Sequence, residues 1–257
     1  PREAGAWMLV APDAIFGTIG GGRLEFMAID RAREMIADTA AADLLDVPLG
    51  PEIGQCCGGR GEVSLAHADA ERRAFLLAQV TDEDAALPAV YVFGAGHVGR
   101  ALARILAILP VRLEVIDTRQ QELDLLPAGI AARAVAMPEA VVRSAPQGSS
   151  YVIVTHDHAL DFLIAQEALS RIDAPYIGMV GSATKRARFA SWFKGEGGDA
   201  RVLERLVLPI GQQGLGDKRP AVIAALAAAE IMVHIGQREA EIARARAPKR
   251  SGVVIGR

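Results

Sequence analysis

The chain has 257 residues, enough for one large domain or two modest ones, and 51% of them are hydrophobic although only 5% are aromatic. Its formal net charge of −3 provides no basic field that would attract nucleic acid or an anionic membrane surface. We find no uninterrupted run of about 20 apolar residues that would span a bilayer. These properties favour an aliphatic, alanine-rich globular protein that binds neither nucleic acid nor membrane.

The cysteine count and the start of the sequence bear on the compartment of the protein. Two adjacent cysteines do not make a disulfide framework, and no secretory leader is recognisable, so we expect a reducing, cytoplasmic setting. The sequence starts at Pro1 rather than at methionine, and we expect a further segment to precede it.

Residues 1–85 are predicted to form a smaller α+β domain rich in glycine loops. Short apolar runs predict strands at 7–10, 14–16, 63–65 and 74–77, of which the first two are expected to be neighbours. A helix is predicted from Arg23 to about Asp38, because its apolar residues recur near one face. The polar segment 81–85 predicts a linker to the next domain.

Residues 86–257 are predicted to form a Rossmann-like domain. Strands and helices alternate after Pro88, which indicates a doubly wound parallel sheet with helices on both faces. The predicted strands are β-branched runs at 90–93, 113–116, 151–154 and 176–180, and the predicted helices include 98–109 and the alanine-rich 221–235.

A G-x-G-x-x-G motif, formed by Gly94, Gly96 and Gly99, lies directly after a predicted strand and before a predicted helix. Asp117 closes the next strand, where a carboxylate would meet the ribose hydroxyls of a dinucleotide. Glycine allows the backbone to approach a diphosphate, and a helix N-terminus favours its charge. Dinucleotide-type geometry is predicted, whereas use of NAD(P) is possible but not favoured, because fold does not fix function. Arg119 could pair with a phosphate or be an exposed loop charge.

A second glycine loop contains three consecutive glycines, Gly20, Gly21 and Gly22, before the first predicted helix. Successive N–H groups of such a run can form an anion-holding nest. The alternative is a tight turn that needs positive φ. Glu25, in the first turn, is favourable to the helix dipole without any chemistry.

The only two cysteines, Cys56 and Cys57, are adjacent within a run of glycines. Thiolate is a soft nucleophile and metal ligand, so the pair suggests a site that touches a metal, a sulfur atom or an electrophile. The alternative is two small buried residues beside a turn.

Two further polar segments follow predicted strands. Lys185 is a candidate phosphate partner, although a helix capped by Ser182 with a solvated basic face is the alternative. The segment 155–158, Thr-His-Asp-His, together with Asp161, could bind a divalent metal or simply cap a helix. We recognise no acid–base–nucleophile set among these loops, which favours a protein that binds a ligand over one that converts it chemically.

Taken together, the motifs resemble the xanthine dehydrogenase accessory protein family (XdhC/CoxI) over nearly the whole chain. The matching segments occur in one order, at 1–5, 17–22 with Glu25, 54–59, 94–99, 117–119, 155–161, 176–182 and 209–211. The chain starts within the family's glycine-serine-x-proline-arginine-glutamate segment, so we expect the strand that precedes this segment in the family to lie outside the given sequence. The final loop, with Gln212 and Gln213, makes the XdhC branch a better match than the CoxI branch.

The resemblance implies a chaperone of the molybdenum cofactor with a C-terminal Rossmann-like half. Such a protein binds molybdopterin, supports its sulfuration with sulfur from a cysteine desulfurase, and delivers it to xanthine dehydrogenase. Cys56 and Cys57 are then expected near the molybdenum, and Asp117 and Lys185 near the pterin and its phosphate, with the glycines named above close to the ligand. A non-catalytic chaperone is favoured over an enzyme, and an alanine-rich helix could serve a homodimer. The alternatives are an NAD(P)-dependent oxidoreductase and a scaffold that carries no pterin.

Overall fold

The computed structural model describes residues 5–38, 42–48, 60–211 and 216–246. Two compact units divide the chain, Pro1–Thr81 and Asp82–Arg257.

The described part of the first unit contains two antiparallel strand pairs, the long helix α1 (Gly22–Asp38) and most of a second helix, α2 (Ala70–Ala86). Its strands are β1 (Met8–Val10), β2 (Ile15–Gly17), β3 (Ala42–Pro48) and β4 (Arg60–Ala66), with β1 paired to β2 and β3 to β4. Leu24 and Val47 are buried in its small core, with Met27, Leu45 and Val63 packed against them. The predicted β1–β2 pairing and α1 are confirmed. Strand β3 was not predicted from the sequence.

Two other predictions for this region, a strand and a linker, are wrong. The predicted strand at 74–77 and the predicted linker at 81–85 both lie inside one helix, α2 (Ala70–Ala86). The side chain of Asp69 caps the start of this helix, because its Oδ1 accepts a hydrogen bond from the Arg72 N–H at 2.7 Å. Most residues that follow are alanine, glutamate, arginine, leucine or glutamine, which are strong helix formers, so local propensity outweighs the short apolar run.

In the described part of the second unit, six strands form one parallel sheet. They are β5 (Ala89–Phe93), β6 (Arg112–Asp117), β7 (Ala131–Ala134), β8 (Ser150–Ile153), β9 (Ile177–Met179) and β10 (Leu206–Val207), in the spatial order β10-β9-β8-β5-β6-β7. Counted from β7, this is the order third, second, first, fourth, fifth, sixth, which defines the Rossmann fold. The predicted fold class is confirmed.

Helices cover both faces of this sheet. They are α3 (His97–Leu106), α4 (Gln120–Leu123), α5 (Pro138–Ser144), α6 (His158–Ser170), α7 (Ala183–Gly195) and α8 (Pro220–Arg246). Because side chains alternate along a strand, Val90 and Val92 join a core with α3 and α8, whereas Phe93 joins a second core with α5, α6 and α7. The sheet is therefore buried on both sides, as a parallel sheet requires.

Helix α8 is long and apolar enough, by length and composition, to cross a membrane, with a mean hydropathy of 1.5 over its most apolar window. One face of it is nevertheless part of the core of the second unit, through Ala224, Ala227, Ala228, Ile231 and Ile235. These positions recur every three or four residues, which is the spacing of a helix that packs on a globular core. Beside this face, Glu230 accepts from Tyr176 Oη at 2.7 Å, whereas the charged residues near the end of the helix are exposed.

Candidate ligand-binding crevice

The crevice lies at the carboxyl ends of β5 and β8, where the strand order reverses. In an open parallel sheet, this topological switch point is where ligands bind. The loops after the two strands touch at Gly94, whose φ is +114°. A Cβ added at Gly94 would lie 2.5 Å from the carbonyl oxygen of Val154, so only glycine fits between the loops.

The other two glycines of the motif have different roles. A Cβ at Gly99 would lie 1.8 Å from the carbonyl oxygen of Gly94, so Gly99 lets α3 pack directly on the loop. A Cβ at Gly96, in contrast, would have no heavy atom within 4 Å, so this position faces open space. Gly99 therefore serves packing, and Gly96 leaves room above the loop.

Gly96 is also the N-cap of α3, and no side chain caps this end of the helix. The first N–H groups of an α-helix have no partner within the helix, and together with the helix dipole they favour an anion. The start of α3 thus combines open space with exposed donors. This arrangement can hold a phosphate or another anionic group.

The peptide groups of Ala95 fix the loop that leads to this helix. Its N–H donates to Asp117 Oδ2 at 2.8 Å, and its carbonyl oxygen accepts from Arg100 Nη1 at 2.7 Å. Arg100 also donates to Glu122 Oε2 at 2.6 Å. Two side chains from different elements thereby hold the loop in one conformation before any ligand arrives.

Asp117 stands at the end of β6, where the sequence predicts it. Burial raises the pKa of its carboxyl group, but hydrogen bonds from the Arg119 side chain and from the Ala95 N–H outweigh burial and leave the pKa below its usual value. The carboxylate is therefore charged at neutral pH and is already hydrogen-bonded within the protein.

The polar segment after β8 forms a helix cap. Asp157 accepts hydrogen bonds from the N–H groups of Ala159 at 2.7 Å and Leu160 at 3.3 Å, and these bonds lower the pKa of Asp157. The capping alternative for this segment is therefore what the structure contains. Among the described residues, no group of three or more histidine, cysteine, aspartate or glutamate side chains is arranged to hold a metal ion.

Lys185 does not face open solvent. Its Nζ contacts Asp161 Oδ2 and donates to the Val180 carbonyl oxygen at 2.9 Å. The second carboxylate oxygen of Asp161 accepts from Thr155 Oγ1 at 2.7 Å, so this buried ion pair ties the loop after β8 to the loop after β9. Ser182 caps α7 as expected, accepting from the Lys185 N–H at 3.3 Å.

The glycine nest of the first unit holds a carboxylate of the protein itself. Gly20, Gly21 and Gly22 all have positive φ, of 122°, 73° and 75°. Glu25 Oε2 accepts from Thr18 Oγ1 at 2.5 Å and from the N–H of Gly21 at 2.9 Å. These bonds, that from Thr18 foremost, lower the pKa of Glu25. A ligand anion in this nest would have to displace Glu25.

Two predicted site residues, Cys56 and Cys57, lie outside the described residues. Sequence reasoning also missed two residues that shape the crevice, Arg100 and Glu122. Their contact joins positions 22 residues apart in the chain, on α3 and α4. The one available signal was their charge, because Arg100 follows the glycine motif directly and Glu122 follows Asp117.

The strand order and the glycine loop define the second unit as a Rossmann domain. Residues 90–231 match the family model described as the XdhC Rossmann domain, and residues 1–47 match that of the XdhC and CoxI family. The first match alone covers more than half of the chain, and the chain therefore belongs to the XdhC family. The resemblance inferred from the motifs is confirmed.

Individual relatives are more distant. An uncharacterized protein of Escherichia coli (strain K12), YqeB, is 25% identical over 247 residues, which cover 90% of this chain but only 40% of YqeB. The chain thus spans less than half the length of this curated relative.

Solved structures also match. A Bacillus halodurans protein described as a xanthine dehydrogenase superposes with a TM-score of 0.71 at 18% identity, covering 96% of this chain and 90% of that one. This likeness shows a shared fold. The NAD(P)-binding domain of an exopolyphosphatase-related protein from Archaeoglobus fulgidus matches 47% of this chain and 86% of its own, at 22% identity and a TM-score of 0.36.

Proposed function

We propose that the chain is an accessory protein for the maturation of xanthine dehydrogenase. In this role it binds the molybdenum cofactor in its molybdopterin form, supports sulfuration of the cofactor and delivers it to the enzyme. Membership of the XdhC family supports the link to the xanthine dehydrogenase system. The observation that carries the binding role is the uncapped start of α3 beside Gly96, at the switch point of the sheet.

The crevice has donors that fit the anionic end of molybdopterin. A terminal phosphate needs N–H groups or cationic side chains, and the first turn of α3 supplies N–H groups in a fixed orientation. Gly96 leaves room for the ligand above the loop, since a side chain there would point into open space. We assign the phosphate to this helix start rather than to Lys185, because Lys185 would have to leave Asp161.

When bound, the cofactor supplies a dithiolene-held molybdenum that carries oxo or sulfido ligands. The protein's part is to hold the phosphate, to keep the pterin in place and to limit access of water. In this proposal the thiols of Cys56 and Cys57 guard the molybdenum end, because thiolate is a soft ligand suited to metal and sulfur. A cysteine desulfurase supplies the sulfur, the setting is cytoplasmic, and the protein acts as a binding and insertion factor without catalysing a reaction of its own.

Delivery can be tested by activating xanthine dehydrogenase that lacks its molybdenum cofactor. We expect cofactor-loaded wild-type chain to restore xanthine oxidation, and the double variant Cys56→Ser, Cys57→Ser to restore at least about tenfold less, since losing one favourable metal or sulfur contact of about 1.4 kcal/mol has that effect. The two single variants identify the thiol that matters, and circular dichroism confirms that each variant is folded.

The outcomes separate the two parts of the proposal. Equal activation by the double serine variant would remove the thiols from the mechanism but leave delivery intact. Failure of the loaded wild-type chain to activate the enzyme would remove the delivery role.

A further inference from the structure

Asp117 occupies the position from which Rossmann enzymes bind the ribose hydroxyls of a dinucleotide, the end of the second strand. Here the side chain of Asp117 is only 3% exposed. Its Oδ2 accepts from the Ala95 N–H at 2.8 Å and from Arg119 Nη2 at 3.1 Å. Its Oδ1 accepts from the Arg119 N–H at 3.0 Å and from Arg119 Nε at 3.1 Å. A carboxylate offers about four lone-pair sites, so these four bonds fill the group.

Arg119 is held in this position from its other side as well. Its Nη1 lies 3.5 Å from Glu122 Oε1, and Glu122 Oε2 accepts from Arg100 Nη1 at 2.6 Å. Arg100 donates in turn to the carbonyl oxygen of Ala95, at 2.7 Å. The five residues form a closed ring in which charges of opposite sign alternate around the peptide of Ala95. Moving the guanidinium of Arg119 would break contacts to two carboxylates.

We propose that Arg119 is a specificity-determining residue that closes the ribose subsite and so excludes adenine dinucleotides from the crevice. The proposal rests on the proposed function, because it concerns the selectivity of the same crevice for a phosphate-bearing ligand that presents no ribose diol at this point. A ribose diol needs a carboxylate acceptor, and that acceptor is already used. The crevice then retains its anion site at α3 but lacks the neighbouring ribose site.

A 2′-phosphate is excluded by charge. An arginine near this strand end accommodates that phosphate in enzymes that use NADP. Arg119, however, already faces Asp117 and Glu122, so an incoming phosphate would have to compete with two carboxylates for its guanidinium. Neither NAD nor NADP is therefore expected to bind the wild-type chain.

The chain contains a matched control for this interaction. Asp199 and Arg201 form the same fork two residues apart, with Arg201 Nε and Nη2 donating to Asp199 at 2.9 and 2.7 Å. Arg201 is 90% exposed, whereas Arg119 is 34% exposed and covers a buried carboxylate. The fork itself is thus a local product of an Asp-x-Arg sequence, and its location at the end of β6 gives it a role in selectivity.

The test is a gain of binding. Calorimetric titration with NAD, NADP and ADP-ribose is expected to show no binding to wild type or to Arg201→Ala at millimolar ligand. Arg119→Ala and Arg119→Gln, which free Asp117, are expected to bind NAD and ADP-ribose at least about tenfold more tightly than wild type, a gain of about 1.4 kcal/mol. The double variant Asp117→Ala, Arg119→Ala should lose this gain, which a general loosening of the structure would not explain.

Micromolar binding of NAD or NADP by the wild type would overturn the proposal, as would the absence of any gain in both folded Arg119 variants. Pterin content distinguishes this failure from failure of the proposed function. A gain of NAD binding in a protein that never retains pterin would refute only the proposed function. Pterin retention without the gain would refute only the role of Arg119.

Discussion

Replacing Gly99 by alanine is expected to destabilise the Rossmann unit by about 3 kcal/mol or more, at the upper end of what overpacking costs. The added Cβ would lie 1.8 Å from the carbonyl oxygen of Gly94 and 2.9 Å from its carbonyl carbon. Gly94 cannot easily move aside, because its N–H donates to the Ile116 carbonyl oxygen at 2.7 Å and its Cα faces Val154. The helix and the loop must therefore separate.

Gly96→Ala is the matched control for this substitution, three residues earlier in the same motif. Its φ of −68° suits any residue, and a Cβ there would have no heavy atom within 4 Å. We expect a cost of less than about 1 kcal/mol, from the weaker capping of alanine. Urea denaturation followed by far-UV circular dichroism measures both variants, and equal stability of the two would contradict the packing described for Gly99.

Breaking the buried pair between Lys185 and Asp161 is expected to have the second large effect. Lys185→Met should cost about 3–5 kcal/mol, because it leaves a carboxylate buried without its charged partner. The Asp161 side chain is 0% exposed, so water cannot replace the lysine. The two remaining bonds, from the N–H and the Oγ1 of Thr155, both reach Oδ1 and leave Oδ2 without a donor.

The double variant Asp161→Leu, Lys185→Met should recover most of this loss, because two apolar side chains leave no uncompensated charge. Arg201→Ala breaks an exposed pair and should leave the unfolding midpoint unchanged. The free energies of unfolding of Lys185→Met, Asp161→Leu and the double variant, each relative to wild type, form a double-mutant cycle. Additive losses in that cycle would mean that the two side chains are not coupled.

The Rossmann architecture could be predicted because each of its signals is local. Buried strands such as β5 and β8 show as β-branched runs, and the G-x-G-x-x-G motif marks the first strand-to-helix turn. The first unit was harder to predict. The apolar run at 74–77 fits a strand, and only the cap at Asp69 and the helix propensity of its neighbours favour α2.

The candidate site could be located from the sequence but its hydrogen bonds could not. The motif and Asp117 predict where the crevice is, whereas the ring closes only through the contacts of Arg100 with Glu122 and of Ala95 with Asp117, which join separate elements. In the same way, three glycines predict a nest for an anion, but not that Glu25 of the same chain fills it. Sequence patterns place backbone donors, and tertiary packing decides which group they bind.

Binding of molybdopterin in this crevice can be measured as the pterin content of the purified chain. Wild type and Gly96→Ala would be expressed with molybdate, and the extracted pterin would be oxidised and quantified by fluorescence. We predict near-stoichiometric pterin in the wild type and at least about tenfold less in the folded Gly96→Ala variant, since a methyl group would intrude where the ligand contacts the start of α3. A wild-type chain without pterin, or equal pterin in both proteins, would show that this crevice is not the molybdopterin site.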